Sequence, residues 1–542
     1  MKPIAPRLRW TILLLLAMTT AALGQASDGV HFVIDAQDSV RPISRYIYGV
    51  NSCDQILDGD PAFARITFTR LGGNRMTCYN WVNNASNAGN DWHYQSDDFL
   101  VSEPRFKGLE DVPGEANVPL IEAAARDRAA TLLTIPINGY VAADKKGDGD
   151  VRASGPNYLS TRFRRELPKK NGPFTLTPDP NAPFVYQDEF VNWVKTRFPY
   201  GESDPSRPIW FDMDNEPGIW EATHAEVHAE NPTYAEMITR TIAYASAAKE
   251  VMPRTLIFGP ASYGWGGFIR LQNAPDADGR DFQVFYLQQM ALAEKVYGRR
   301  LLDVMDVHWY PEAILNGVRV TEENASPEIA ALRMQIPRSL WDADYVEPSW
   351  VTRDSLHGAA IRLIPRLMEK IDSSYPGTKL AFTEYYYGGG SHISGGIAEA
   401  DVLGIFGRSN VFAAAIWPLA KMPFIMGAMQ MYRNFDGQGA AFGDTSIHAA
   451  TDDTVASSVY ASLDSGEANR MVIVAINKTD HSLPADIRLS HFAAVSKAVA
   501  YQLTSAAARP EAGGNVDINT TGDGLLYIMP PYSVTTIQLT GG

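Results

Sequence analysis

Eight short apolar runs recur along the first 430 residues, separated by longer segments with helical spacing. They fall at Tyr46–Asn51, Phe68–Gly73, Thr131–Ile137, Ile209–Asp214, Leu256–Gly259, Val304–His308, Leu380–Thr383 and Ala413–Trp417. Each is apolar on both faces, as strands buried on both sides of a parallel sheet must be. Helices are predicted at Leu120–Ala130, at Tyr234–Val251 and around Gly358–Ile371. Eight strands alternating with helices place the chain in the α/β class and predict closure into a (β/α)8 TIM-like barrel over residues 44–430.

The pattern changes beyond residue 430. All eleven tryptophans lie at or before Trp417. Short alternating runs follow at Ser458–Ser462, Met471–Ile476, Leu525–Ile528 and Ser533–Leu539, with turn-rich spacers such as Ala512-Gly513-Gly514-Asn515. Residues 431–542 therefore read as an antiparallel, all-β sandwich. The alternating run His31–Asp35 has no place in the barrel, so residues 28–43 are assigned to the same sandwich. The extreme N-terminus has the pattern of a secretory signal peptide over residues 1–24. It has a basic start (Lys2, Arg7, Arg9), a short apolar core (Thr11–Met18) and small residues at Ala22-Leu23-Gly24, with cleavage expected before Gln25. The apolar core is too short to span a bilayer comfortably, and no other run is long enough.

Charge narrows the class of partner. Loss of residues 1–24 takes the formal charge from −15 to −18, which disfavours nucleic acid and anionic membrane surfaces. A protein exported to the periplasm or the medium, working as a monomer on a neutral polymer, is expected. Cys53 and Cys78 are either a disulfide, which export permits, or two buried thiols, and no cysteine cluster suggests zinc.

The candidate chemistry sits at strand ends. The fourth apolar run breaks off at Asp214-Asn215-Glu216-Pro217, and the seventh at Glu384, beside Tyr385-Tyr386-Tyr387. In a parallel barrel such positions share one open end. Two facing carboxyls, one acid and one nucleophile, are the equipment of glycoside hydrolysis. At the end of the sixth strand, His308 or Tyr310 can hydrogen-bond the carboxylate of the seventh. The loop after the second strand carries Asn74 and Arg75, suited to sugar hydroxyls, and Trp81 and Trp92, suited to the C–H faces of sugar rings. Asp144-Lys145-Lys146-Gly147-Asp148-Gly149-Asp150 spaces oxygens as a structural calcium loop would, but it lacks the terminal Glu, and a solvated charged loop is the better reading. The glycines at 388–390 and 395–396 do not have phosphate-loop spacing.

Taken with Leu71-Gly72-Gly73-Asn74-Arg75-Met76-Thr77, Asn83–Gly89, Asp214–Gly218, His308-Trp309-Tyr310, Phe382–Tyr386 and Tyr432–Gly437, these motifs resemble glycoside hydrolase family 44, endoglucanases and xyloglucanases. The resemblance spans nearly the whole mature chain. It implies a barrel with a sandwich built from both chain ends, and retaining hydrolysis of internal β-1,4-glucosidic bonds without a required cofactor. Glu216 takes the acid/base role and Glu384 the nucleophile role. Asn215 is expected to grip the hydroxyl next to the anomeric carbon and Trp417 to floor the reacting subsite. Trp309, Trp350 and Tyr387 complete the expected binding set. Val82 stands where an acidic residue is expected. The binding or docking modules often appended in the family are not recognised, so attachment to a larger assembly is not expected. Rival readings are an endo-hydrolase of mannan or xylan and a non-catalytic carbohydrate-binding protein.

Overall fold

The computed structural model describes residues 29–542. The expected leader, residues 1–24, lies outside the described residues. After strand β1 (Val30–Asp35) come β2 (Tyr46–Asn51), β3 (Phe68–Leu71), β4 (Ala130–Ile135), β5 (Ile209–Met213), β6 (Ile257–Tyr263), β7 (Val304–Trp309), β8 (Lys379–Tyr385) and β9 (Ala413–Ile416). β2 to β9 close into a barrel in chain order, each pairing parallel with its neighbours. All eight expected apolar runs form its wall. β6 and β8 run past their apolar stretches because Ser262, Tyr263, Glu384 and Tyr385 still pair across the wall. The helix Tyr234–Val251 has its expected bounds. The others shift to Val118–Arg126 and Leu363–Ser374.

Alternation along the strands fills the barrel in layers. Phe68, Leu132, Trp210, Phe258, Val304 and small alanines form a separate buried cluster. The Trp210 ring lies 5.6 Å from that of Phe258 and 4.8 Å from that of Tyr46. Two residues further along their strands, the side chains turn polar: Arg70 after Phe68, Asp212 after Trp210, Asp306 after Val304. An aromatic plug thus closes one end, and charge occupies the end where the strands terminate.

The second domain comprises β10 (Thr445–Thr451), β11 (Ser457–Asp464), β12 (Glu467–Asn477), β13 (Leu483–Ser490), β14 (Val495–Thr504), β15 (Gly524–Met529) and β16 (Ser533–Gly541). Its spatial order is β14-β16-β12-β11-β10-β1-β13-β15, with short strands at the edges. β1 pairs antiparallel with β10 but parallel with β13, a departure from the wholly antiparallel expectation. β10 and β13 run in opposite directions, so any strand inserted between them must run with one. Along β12, Met471, Ile473 and Ala475 enter the sandwich core, while Val472, Val474 and Ile476 join the barrel's core. Both faces are buried, which is why that run is uninterruptedly apolar.

Cys53 and Cys78 are free thiols. In the loop weighed for calcium, the Arg162 guanidinium bonds Asp144 and Asp148, at 2.7 Å each, so the chain itself supplies positive charge there. Among the described residues no helix is long and apolar enough to cross a membrane.

The two domains share a buried ion pair. Lys478 Nζ lies 2.7 Å from Asp401 Oδ2, both side chains nearly inaccessible, and the Tyr460 hydroxyl donates to Oδ1 of the same carboxylate. Removing one partner leaves a buried charge uncompensated. Asp401→Ala is expected to cost about 3–5 kcal/mol by urea denaturation, and Asp401→Leu combined with Lys478→Met distinctly less.

Candidate active site

Arg70 sits at the centre of the lumen and is fully buried. Its Nη1 donates to Glu384 Oε1 at 2.7 Å, its Nη2 to Asn215 Oδ1 at 2.9 Å, and its Nε to Asp212 Oδ2 at 3.3 Å. Burial opposes its charge, but Glu384, Asp212 and Asp306 outweigh that and hold the guanidinium firmly protonated. Asp306 accepts from the Thr383 hydroxyl at 2.7 Å. Burial, then the charge of Asp212, pushes the Asp306 carboxyl well up, and burial raises Asp212 too, against the pull of Arg70.

A bulge aims the Glu384 side chain. Val307 pairs with Phe382, but His308 pairs with Glu384, so β8 gains a residue there. Thr383 and Glu384, though consecutive, both face the lumen. Glu384 Oε2 accepts a hydrogen bond from the Tyr310 hydroxyl at 2.9 Å. Burial and the Glu384 charge raise the Tyr310 pKa far above the phenol range, so Tyr310 stays a donor.

Glu216 arrives by a tighter route. Asp214 and Glu216 both have left-handed backbone, with φ of 71° and 45°. Such residues persist only when their surroundings fix them. Here Asp214 Oδ1 accepts from the Asn215 amide, and the Glu216 amide donates to the Ala261 carbonyl at 3.0 Å. Glu216 Oε1 then lies 2.8 Å from His308 Nδ1, which is 3.5 Å from Glu384 Oε2. His308 Nδ1 and one oxygen of each glutamate all lie within 4.8 Å of one another. Burial raises the Glu216 carboxyl to about 8, against the opposing pull of Arg70. Burial is thus the leading cause, and Glu384 is not among the groups that shift it. Burial also depresses the His308 imidazole to about 3, so that ring is neutral.

The other expected residues divide. Asn215 is gripped by Arg70 and donates to Asn74 Oδ1 at 3.1 Å, and Asn74 in turn donates to Asp91 at 2.8 Å. Trp417 is half-buried, with Gly73 tight against it: a Cβ there would stand 2.6 Å from the indole. Trp92 and Trp350 are exposed. Four residues depart from the expected sugar-contacting role. Trp81 is 1% exposed, packs on Phe190 and donates to the Tyr186 carbonyl. Arg75 is committed to Asp97 and to the Phe99 ring. Trp309 and Tyr387 are buried. Trp309 follows the inward His308 on a strand, so alternation turns it outward, onto Phe268. Tyr387 packs edge-on to Tyr385, behind the wall.

Sequence reasoning placed Arg70 only inside the second apolar run, and it missed Tyr263 at the end of β6, whose phenol pKa is raised by burial and then by Glu216. An arginine two positions after an inward phenylalanine was the available signal. Gly72 makes room for it, since a Cβ there would meet the guanidinium at 2.2 Å.

Comparison with known proteins places this geometry. The family model for glycoside hydrolase family 44 matches residues 85–313. Endoglucanase A of Paenibacillus lautus is 41% identical over 480 residues, covering 87% of this chain and 67% of that protein. Beta-mannanase/endoglucanase A of Caldicellulosiruptor saccharolyticus is 38% identical over 508 residues, covering 90% of this chain and 37% of that protein. A family 44 xyloglucanase from Paenibacillus polymyxa, solved with xyloglucan, superposes with a TM-score of 0.88 at 38% identity, covering 95% of this chain and 100% of that one. The chain belongs to glycoside hydrolase family 44.

Proposed function

We propose that the chain is a secreted, retaining endo-β-1,4-glucanase that cleaves internal bonds of cellulose-type glucans and xyloglucan as a monomer. The observation that carries the reading is the approach of the two glutamates, with an oxygen of each within 4.8 Å of the other. Retaining enzymes hold their carboxyls about 5–5.5 Å apart, whereas inverting enzymes need about 6.5–9.5 Å to admit a water. Glu216, held protonated by burial, gives its proton to the leaving oxygen. Glu384, gripped by Arg70 and Tyr310, attacks the anomeric carbon and forms a glycosyl ester. Glu216 then takes a proton from water, which hydrolyses the ester with net retention. Asn215, its carbonyl fixed by Arg70, keeps an N–H for the neighbouring sugar hydroxyl. The cycle needs no cofactor.

The relative named for mannanase activity, and a metagenomic bifunctional glucanase-xylanase at 29% identity and a TM-score of 0.78, support a second reading in which another β-1,4-glycan is cut. Initial rates on carboxymethyl cellulose, xyloglucan, xylan and mannan decide between them. Xyloglucan or cellulose derivatives are expected to lead by about tenfold or more, a difference of about 1.4 kcal/mol in transition-state binding. Proton NMR of the first product should show the β-anomer before mutarotation; an initial α-anomer overturns the retaining scheme.

Glu384→Gly and Glu216→Gln are each expected to lower kcat by about a thousandfold or more with unchanged circular dichroism. Azide should restore turnover in Glu384→Gly by replacing the missing nucleophile.

The pH profile follows from Glu216. Its protonated form is the active acid, so kcat/KM should fall as pH rises through about 8. The same shift bears on stability. The folded pKa lies above the ordinary 4.5, so the folded state binds the extra proton, and stability from this group is lost between about pH 4.5 and 8. Glu216→Gln should flatten that decline in a denaturation series.

A further inference from the structure

A second cluster lies behind the catalytic one. Cys78 follows the short helix Asn74–Thr77, and His224 and Glu226 follow Trp220–Thr223. All three are buried. His224 Nδ1 lies 3.0 Å from Glu226 Oε1 and 3.8 Å from Cys78 Sγ. One donor atom from each residue falls within 4.8 Å of the others.

Three features of the cluster point to a cation site. His224 Nε2 lies 2.9 Å from the Asn74 carbonyl oxygen, which can only accept, so Nε2 carries the hydrogen. In a neutral ring Nδ1 is then a lone pair, yet it faces a carboxylate oxygen and a sulfur. Glu226 Oε2 is buried with no partner. Gly89 borders the cluster, where an added Cβ would stand 2.8 Å from Nδ1 and close the space beside it.

We propose that Cys78, His224 and Glu226 bind a divalent ion of the zinc class through Sγ, Nδ1 and Oε1. Zinc bonds of about 2.0–2.3 Å set donor pairs about 3.3–3.7 Å apart around a tetrahedral centre, a spacing bracketed by the two pairs above. The Nε2–H to Asn74 carbonyl bond is the outer contact that orients a metal-bound imidazole. Binding releases the Cys78 thiol proton to solvent, and a water fills the fourth position. The donors come from residues 78, 224 and 226, so no sequence spacing announces them. The ion steadies Asn74, whose side chain holds Asn215.

The rival is an imidazolium–glutamate pair with Cys78 as bystander. Full-length mature protein, stripped with chelator, reloaded with zinc and dialysed, should retain about one equivalent by elemental analysis. Cobalt in place of zinc should give the near-ultraviolet band of a thiolate–cobalt bond. Cys78→Ser should abolish that band and weaken zinc binding by about a hundredfold, while Cys53→Ser, at the only other thiol, should change neither. Retention below about a tenth of an equivalent by the wild type, or a cobalt band that survives Cys78→Ser, overturns the proposal. The wild-type measurements decide even where the variant folds poorly.

Discussion

A guanidinium shut inside the barrel is the constraint on which the site depends. Arg70 has no access to water, and a cation so placed is tolerable only if anions and hydrogen-bond acceptors close around it. They do: Asp212 lies beneath it, Glu384 above and the Asn215 carbonyl beside it. The Glu384 carboxylate at the mouth is thereby held in one direction, with Arg70 on Oε1 and Tyr310 on Oε2. The glycine at 72 exists because the guanidinium needs the volume a Cβ would take.

From that centre follows a division of labour between chemically identical side chains. Glu384 touches a permanent cation and a phenol that cannot ionise. Glu216 touches a ring that burial keeps neutral, and the pull of Arg70 does not outweigh its own burial. The same low dielectric that strengthens the Arg70 contact raises the Glu216 carboxyl. In the proposed cycle, environment alone separates the acid from the nucleophile.

What could be read from sequence was whatever repeats along the chain. Eight two-faced apolar runs disclosed the barrel, and alternation beyond residue 430 disclosed the strands of a second sheet. Polar residues abruptly ending an apolar strand disclosed Glu216 and Glu384. The illegible parts were those set by contacts distant in sequence. The bulge that brings Thr383 and Glu384 onto one face has no local signature. The burial of Trp81 depends on Phe190, more than a hundred residues away, and the outward turn of Trp309 on the phase of β7. Arg70 was hidden because a single arginine in an apolar strand looks like an accident until its partners are seen together.

The second domain bears on the chemistry through one helix. Residues Ile393–Arg408 follow directly from the loop after β8, and the Tyr385 hydroxyl, next to Glu384, donates to Glu399 on that helix at 2.9 Å. The opposite side of the helix meets the sandwich. Gly404 lets the Tyr460 ring come so close that a Cβ would stand 2.3 Å from it, and Asp401 is locked to Lys478. A strand carrying a bulge gives up regular hydrogen bonds at the place where its side chain must be held most accurately. Packing the following helix against a second core steadies the strand that carries the bulge. On this argument the sandwich is part of the catalytic scaffold, and the two-faced burial of β12 is the seam along which the two cores act as one.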